Sequence, residues 1–209
     1  MKRVLLALAL AAPLAALAEG ATSDPFTKGD AAAGATKAAV CGACHGVGGN
    51  GIINPEWPKL AGQHSSYTLG QLKAFKANER KNPVMYGQSA ALSDQDMADL
   101  AAYFAAQKAV PGLASEQSVK VAQKLYRAGD AARGLPSCSG CHGPTGAGQP
   151  AALYPRIGGQ NAAYTLNQLK AYKSGERAGG KHAPIMVAIA AKLTDDEIAA
   201  LASYVNGLQ

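Results

Sequence analysis

Two short motifs contain all four cysteines of this 209-residue chain, and each places a histidine directly after its second cysteine. They read Cys41-Gly-Ala-Cys44-His45 and Cys138-Ser-Gly-Cys141-His142, and they lie 97 residues apart. The spacing Cys-x-x-Cys-His is the signature for covalent attachment of a c-type haem. The two thiols add to the two vinyl groups of one haem, and the histidine becomes an axial ligand of the iron. The repeat therefore predicts two haems in two similar modules.

Other uses of a Cys-x-x-Cys pair fit the chain less well. A thioredoxin-like redox pair would lie near a βαβ pattern, and neither motif has a strand-rich stretch beside it. A zinc ribbon places its two Cys-x-x-Cys knuckles about 15–20 residues apart, which is much closer than here. A structural disulfide within each motif would leave His45 and His142 unexplained. Haem attachment accounts for the cysteines and the histidines together.

The second axial ligand of each iron is predicted to be a methionine. Methionine opposite histidine is the ligation of cytochromes c, and it raises the reduction potential. Met85 and Met186 share a Pro-x-Met context and follow their histidines by 40 and 44 residues, in stretches predicted to be loops before a capped helix. Met97 aligns with Ile198, which cannot bind iron, so Met97 is predicted to pack in the core.

Two further histidines, His64 and His182, are chemically able to bind iron. His64 aligns with Asn161 in the other half, so it is predicted to be a surface or packing residue. His182 lies where the second half has four extra residues. It is therefore the remaining rival of Met186.

Several residues that match between the halves allow two interpretations. Pro58 and Pro155 each follow their motif histidine by 13 residues, so their carbonyls either accept a hydrogen bond from the imidazole or only shape a turn. Four aromatic residues line the haem crevice or form ordinary core: Trp57, Tyr67, Tyr154 and Tyr164. Four basic residues pair with haem propionates or are solvated surface charges: Lys59, Arg80, Arg156 and Arg177.

The elements around the motifs are predicted to be helices. In the first half they cover 31–40, 66–78 and 93–107, and in the second half 119–127, 163–174 and 194–206. Capping boxes mark the start of the last helix in each half, with Ser93 three residues before Asp96 and Thr194 three residues before Glu197. Residues 108–117 read as a linker between an N-terminal domain at 19–107 and a C-terminal domain at 118–209.

The first residues of the chain predict export. Met1-Lys2-Arg3 precedes an apolar run over 4–18 that ends in Ala16-Leu17-Ala18, the pattern of a signal peptide cleaved after residue 18. The run is shorter than the ~20 residues that a membrane span needs. The mature protein is therefore expected in the periplasm, where c-type haem is attached.

Charge differs between the two halves. Residues 19–112 contain eight basic and eight acidic side chains, whereas residues 113–209 contain ten basic and six acidic ones. This asymmetry predicts a polar molecule with a preferred docking end. The basic residues form no dense run, so no nucleic-acid partner is predicted.

The chain resembles the dihaem class I cytochromes c, and most closely the cytochrome c4 family. The resemblance covers residues 26–209 and rests on the two haem motifs and four flanking segments: Pro58–Gln63, Leu92–Asp96, Ala101–Phe104 and Gly158–Gln160. It implies an all-α fold of two tandem domains related by pseudo-twofold symmetry, each wrapped around one covalent haem. It also implies His45 with Met85, and His142 with Met186, as axial ligands. The segment before Met85 is shorter than the family pattern.

The function implied by the resemblance is that of an electron carrier, with no small-molecule substrate. Such proteins pass single electrons from a membrane quinol-oxidising complex (quinol–cytochrome c oxidoreductase) to a terminal oxidase, often in loose association with the membrane. Two alternatives remain open. One is the dihaem subunit of a dehydrogenase, such as a flavin-containing sulfide dehydrogenase. The other is a dihaem peroxidase, which would need an accessible sixth position at one iron.

Overall fold

A computed structural model describes residues 24–51 and 53–209 of the chain. The predicted signal peptide at 1–18 lies outside the described residues. The described part is helical, apart from the isolated β-bridges Asp130–Leu135 and Gln149–Tyr154. Among the described helices, none is long and apolar enough to cross a membrane. The all-α prediction is confirmed.

The two halves of the molecule contain corresponding helices. In the first half they are α1 (Ala31–His45), α2 (Ser65–Lys76), α3 (Pro83–Ala90) and α4 (Asp94–Ala106). In the second half they are α5 (Glu116–Ala128), α6 (Ser139–His142), α7 (Ala162–Ser174), α8 (Ala183–Ala190) and α9 (Asp195–Asn206). The helix α1 has two counterparts, α5 and α6, because the second half bends at Gly129. This glycine has φ +67°, and a Cβ there would lie 2.2 Å from the Leu135 carbonyl oxygen.

The short helices α3 and α8 correct one prediction. Met85 and Met186 were expected in loops, but each lies in the first turn of an eight-residue helix. A proline stands in that first turn in both helices, where its missing N–H has no intrahelical partner to lose. The Asn82 side chain caps α3 by accepting a hydrogen bond from Met85 N at 2.9 Å. A proline at the first or second position is therefore compatible with the start of both helices.

Helix α1, which carries the first haem motif, packs against α4, and α5 packs in the same way against α9. The helix α1 lies so close to α4 that a Cβ on Gly34 would come within 2.1 Å of the Asp99 carbonyl oxygen. Both predicted capping boxes are present, at Ser93 with Asp96 and at Thr194 with Glu197. One turn into these helices, Met97 and Ile198 are 1% and 0% exposed, so Met97 is a core residue as predicted.

Asp99 fixes α4 to the start of α1. Its buried carboxylate accepts hydrogen bonds from Asp30 N at 2.9 Å, Gln95 Nε2 at 2.8 Å and Lys37 Nζ at 3.0 Å. Burial alone would raise its pKa, but these three hydrogen bonds outweigh burial and hold the pKa of Asp99 below its ordinary value. The native state therefore favours the ionised form.

Asp99→Asn is expected to lower the free energy of unfolding by about 1–3 kcal/mol at pH 7, because the buried donors lose a charged acceptor. A depressed carboxyl pKa stabilises the fold above the unfolded-state value, 3.8, and this contribution disappears as the pH falls through the folded-state value. The difference between wild type and variant should therefore shrink below about pH 4.

Denaturant titrations of the haem-loaded protein from pH 3 to pH 7 measure this difference. Asp94→Asn is the control, since the Asp94 side chain is 79% exposed and forms a surface ion pair with Lys73. A difference between wild type and Asp99→Asn that stays constant over this pH range would contradict the assignment.

Candidate haem sites

Both motif histidines lie at the end of a helix and are held in the same way. His45 ends α1 and His142 ends α6, and the next residue in each case is a glycine with φ +77°. The carbonyl of each histidine accepts a hydrogen bond from a later glycine, Gly51 N at 2.7 Å and Gly148 N at 2.8 Å. Both histidines are buried. The chain thus builds one local structure twice.

A proline carbonyl orients each imidazole. His45 Nδ1 lies 2.9 Å from Pro58 O, and His142 Nδ1 lies 2.9 Å from Pro155 O. The carbonyl can only accept, so Nδ1 carries the proton and Nε2 presents its lone pair. Burial lowers the pKa of both histidines and outweighs these hydrogen bonds. A neutral imidazole with a free Nε2 is what a metal requires. Of the two interpretations that the sequence left open for these prolines, the structure shows the hydrogen-bond acceptor.

None of the four cysteines forms a disulfide in the described part of the chain. Cys41 and Cys44 lie in the last turns of α1, and Cys138 and Cys141 flank the start and end of the first turn of α6. Burial raises the pKa of Cys138 to about 11, so before a haem is attached its thiol is protonated at neutral pH. Each histidine shares a helical segment with two cysteines. This set of side chains fits a haem that is bound through two thioethers and one axial nitrogen.

Met85 and Met186 occupy matching places. Both are partly buried, and they lie on α3 and α8, which pack against α2 and α7 respectively. Met85 is the third residue of α3 and Met186 is the fourth of α8. The structure thus gives the two predicted methionine ligands equivalent positions in the two halves.

The sequence model of the family described as Cytochrome c matches residues 31–108 and 119–209. This chain belongs to the cytochrome c family. It is 46% identical over 208 residues to cytochrome c4 of Pseudomonas aeruginosa, which covers 100% of both chains. The crystal structure of reduced recombinant cytochrome c4 from Pseudomonas stutzeri is 46% identical, with a TM-score of 0.82, and the match covers 87% of this chain and 100% of that chain.

A second kind of relative is named as the electron acceptor of a thiosulfate dehydrogenase. The thiosulfate dehydrogenase electron acceptor of Stutzerimonas stutzeri is 38% identical over 175 residues, which are 82% of this chain and 80% of that protein. Taken together, these matches confirm the predicted family, the tandem fold and the two covalent haem c cofactors. The protein is an electron-transfer cytochrome rather than an enzyme.

The two cytochrome c domains dock through a reciprocal pair of glutamines. The Gln63 side chain accepts from Arg156 N at 2.9 Å and donates to Arg156 O at 2.8 Å. The Gln160 side chain does the same with Lys59, at 2.8 Å and 2.9 Å. Each amide therefore binds the main chain of the opposite domain as a neighbouring β-strand would. We call these four residues the glutamine clamp.

Two arginines cross the same interface. Arg80 donates to Tyr164 Oη at 3.0 Å and to Gln168 Oε1 at 2.9 Å in the other domain. Arg177 mirrors it, donating to Tyr67 Oη at 2.9 Å and Gln71 Oε1 at 3.1 Å. Tyr67 and Tyr164 thus accept hydrogen bonds across the domain interface. Neither arginine is an ordinary solvated surface charge.

His64 and its counterpart also belong to the interface. His64 Nε2 donates to Ala147 O at 2.7 Å, and Asn161 Nδ2 donates to Trp57 O at 2.8 Å. His64 is thus a packing residue, as predicted. The importance of the glutamines was missed from the sequence, although their identity in both halves was the available signal.

Gln160→Ala is expected to weaken domain docking by about 1–3 kcal/mol, because Lys59 loses both main-chain partners. Calorimetry of the haem-loaded protein should then resolve two unfolding transitions in place of one. Gln117→Ala, at an exposed position on α5, is the matched control and should leave the wild-type profile. A single transition in Gln160→Ala at the wild-type temperature would show that the clamp does not hold the domains together.

Proposed function

We propose that this cytochrome is a periplasmic carrier that moves single electrons from a quinol-oxidising membrane complex to a terminal oxidase. The observation that supports this most is the duplication of one buried histidine site, with the same 2.9 Å proline contact in both domains. Two equivalent sites suit electron storage and passage better than the chemistry of an enzyme, which would need one site to differ. The high identity to cytochrome c4 over the whole chain agrees with it.

The proposed iron ligands are His45 with Met85, and His142 with Met186. Cys41 and Cys44 would attach the first haem, and Cys138 and Cys141 the second. The haem supplies one-electron chemistry when it is bound. The protein fixes the imidazoles through Pro58 and Pro155 before any electron arrives, so little rearranges between oxidation states.

The proposed mature chain starts at Glu19 after removal of residues 1–18. It consists of domains 19–107 and 118–209 joined by the linker 108–117, of which the last two residues are already helical in α5. The net charge of +4 on residues 113–209 would direct the C-terminal domain towards acidic partners or the anionic membrane surface.

A second candidate partner is a dehydrogenase of sulfur compounds. The likeness to a thiosulfate dehydrogenase electron acceptor supports it. In this case the chain would accept electrons from the dehydrogenase. This agrees with the alternative that the sequence left open, a dihaem subunit of a dehydrogenase. The carrier chemistry is the same, and only the electron donor differs.

Met85→Ala and Met186→Ala are each expected to open one iron and lower the potential of that haem, since the axial ligand is a main determinant of potential. Loss of half of the iron–sulfur charge-transfer absorption in each variant is the spectroscopic measurement. Met97→Leu is the matched control. It should keep both spectra and change the free energy of unfolding by less than about 1.5 kcal/mol, as a volume-conserving exchange. If Met97→Leu removed that absorption at one haem, the ligand assignment would be wrong.

The donor can be identified by reduction of the purified cytochrome. Membranes with a quinol should reduce both haems at a rate that an inhibitor of the quinol-oxidising complex abolishes, and oxidase-containing membranes should reoxidise them. A purified thiosulfate dehydrogenase with thiosulfate is the parallel assay. Reduction by the dehydrogenase alone would favour the second candidate, and reduction by neither system would contradict both.

A further inference from the structure

The second domain has four residues that the first domain lacks, between Arg177 and Pro184. This insertion runs against the first domain. A Cβ on Gly179 would lie 2.0 Å from the Glu79 carbonyl oxygen, and Gly180 has φ +98°. Only glycine fits both positions without strain. The insertion therefore runs along the surface of the first domain at Gly179 and ends at His182, the residue before α8.

The imidazole of His182 does not cap α8, although His182 directly precedes this helix. The backbone carbonyl of His182 accepts from Ile185 N and Met186 N, but its side chain makes no capping hydrogen bond. The ring packs on Tyr154 with centroids 5.5 Å apart, and Tyr154 in turn lies 6.5 Å from the ring of His142. His182 thus belongs to the aromatic surroundings of the C-terminal haem site.

His182 Nε2 is a buried polar atom without a hydrogen-bond partner among the described residues. A buried nitrogen left unpaired destabilises a protein by about 1–3 kcal/mol. Buried polar groups in native proteins are nearly always paired. The atom therefore indicates a partner that the polypeptide does not supply.

The chemistry of haem c narrows that partner. Its vinyl groups are consumed by Cys138 and Cys141, and most of its remaining edge is apolar, so its hydrogen-bond acceptors are the propionates. We infer that His182 Nε2–H donates a hydrogen bond to a propionate of the C-terminal haem. The inference rests on the proposed function, in which Met186 and not His182 binds the iron.

The first domain lacks the insertion and has no histidine before Pro83. Asn82 stands there instead, and its side-chain oxygen caps α3 by accepting a hydrogen bond from Met85 N. His182 therefore acts on one haem only. A hydrogen bond to a propionate reduces the negative field at the iron, which favours the added electron of the reduced state. His182 is thus a positioning residue that raises the potential of the C-terminal haem.

The test is a spectroelectrochemical titration of the haem-loaded protein with His182→Phe and His182→Gln. Phenylalanine keeps a ring against Tyr154 but removes the donor, whereas glutamine keeps an N–H donor. The reduction equilibrium of the C-terminal haem should fall about three- to tenfold in His182→Phe, the range of one hydrogen bond. It should recover in His182→Gln. The N-terminal haem is the internal control and should not change.

A second measurement does not depend on the potential. In ¹⁵N-labelled reduced wild type, an Nε2–H of His182 should exchange slowly and show cross-peaks to the propionate methylene protons of the C-terminal haem. Absence of these cross-peaks, or an equal shift of both haems in His182→Phe, would overturn the inference. Loss of the iron–sulfur absorption in His182→Phe would also overturn it.

A wrong axial assignment is recognised separately. If Met186 were not the ligand, Met186→Ala would leave the spectrum of the C-terminal haem unchanged. That result would refute the ligand proposal whatever the potential of His182→Phe. The two failures are thus distinguishable.

Discussion

The hydrogen bond from a histidine Nδ1 to a proline carbonyl is the contact on which both sites depend. It fixes the tautomer, leaves Nε2 for the iron and sets the plane of the ring. The residues around it differ between the domains, with Trp57 in one place and Tyr154 in the other, yet the distance is 2.9 Å in both. The feature kept in both domains is thus the position of a backbone carbonyl, which many side chains can surround.

The domain interface supports the same contact. Lys59 and Arg156, whose main chains the glutamine clamp binds, directly follow Pro58 and Pro155 in the chain. The peptide group that orients one domain's imidazole is therefore held from the other domain. Docking and ligand orientation share a single backbone segment, and this gives a physical reason for two domains to remain packed instead of moving on the linker.

The sequence was sufficient where a signal is local. The haem motifs and the capping boxes are each read within one segment, and both were predicted correctly. The interval of 13 residues to a proline left two interpretations open, and the structure shows the proline carbonyl as a hydrogen-bond acceptor. Eight-residue helices beginning at Pro83 and near Pro184 were not predicted, because a proline and a short length resemble a loop. The partners of Arg80 and Arg177 could not be inferred either, since they lie in the opposite domain and depend on how two repeats face each other.

The two haems of such a symmetric molecule can differ only through features that the repeat does not copy. Among them are the excess positive charge of residues 113–209 and the insertion that carries His182. Salt separates their effects, because it screens exposed charges over about 8 Å at physiological ionic strength and about 3 Å at 1 M, whereas a buried hydrogen bond is hardly screened. The part of the potential difference that remains at high salt therefore measures the buried surroundings of each haem, and the part that salt removes measures the surface that meets a partner.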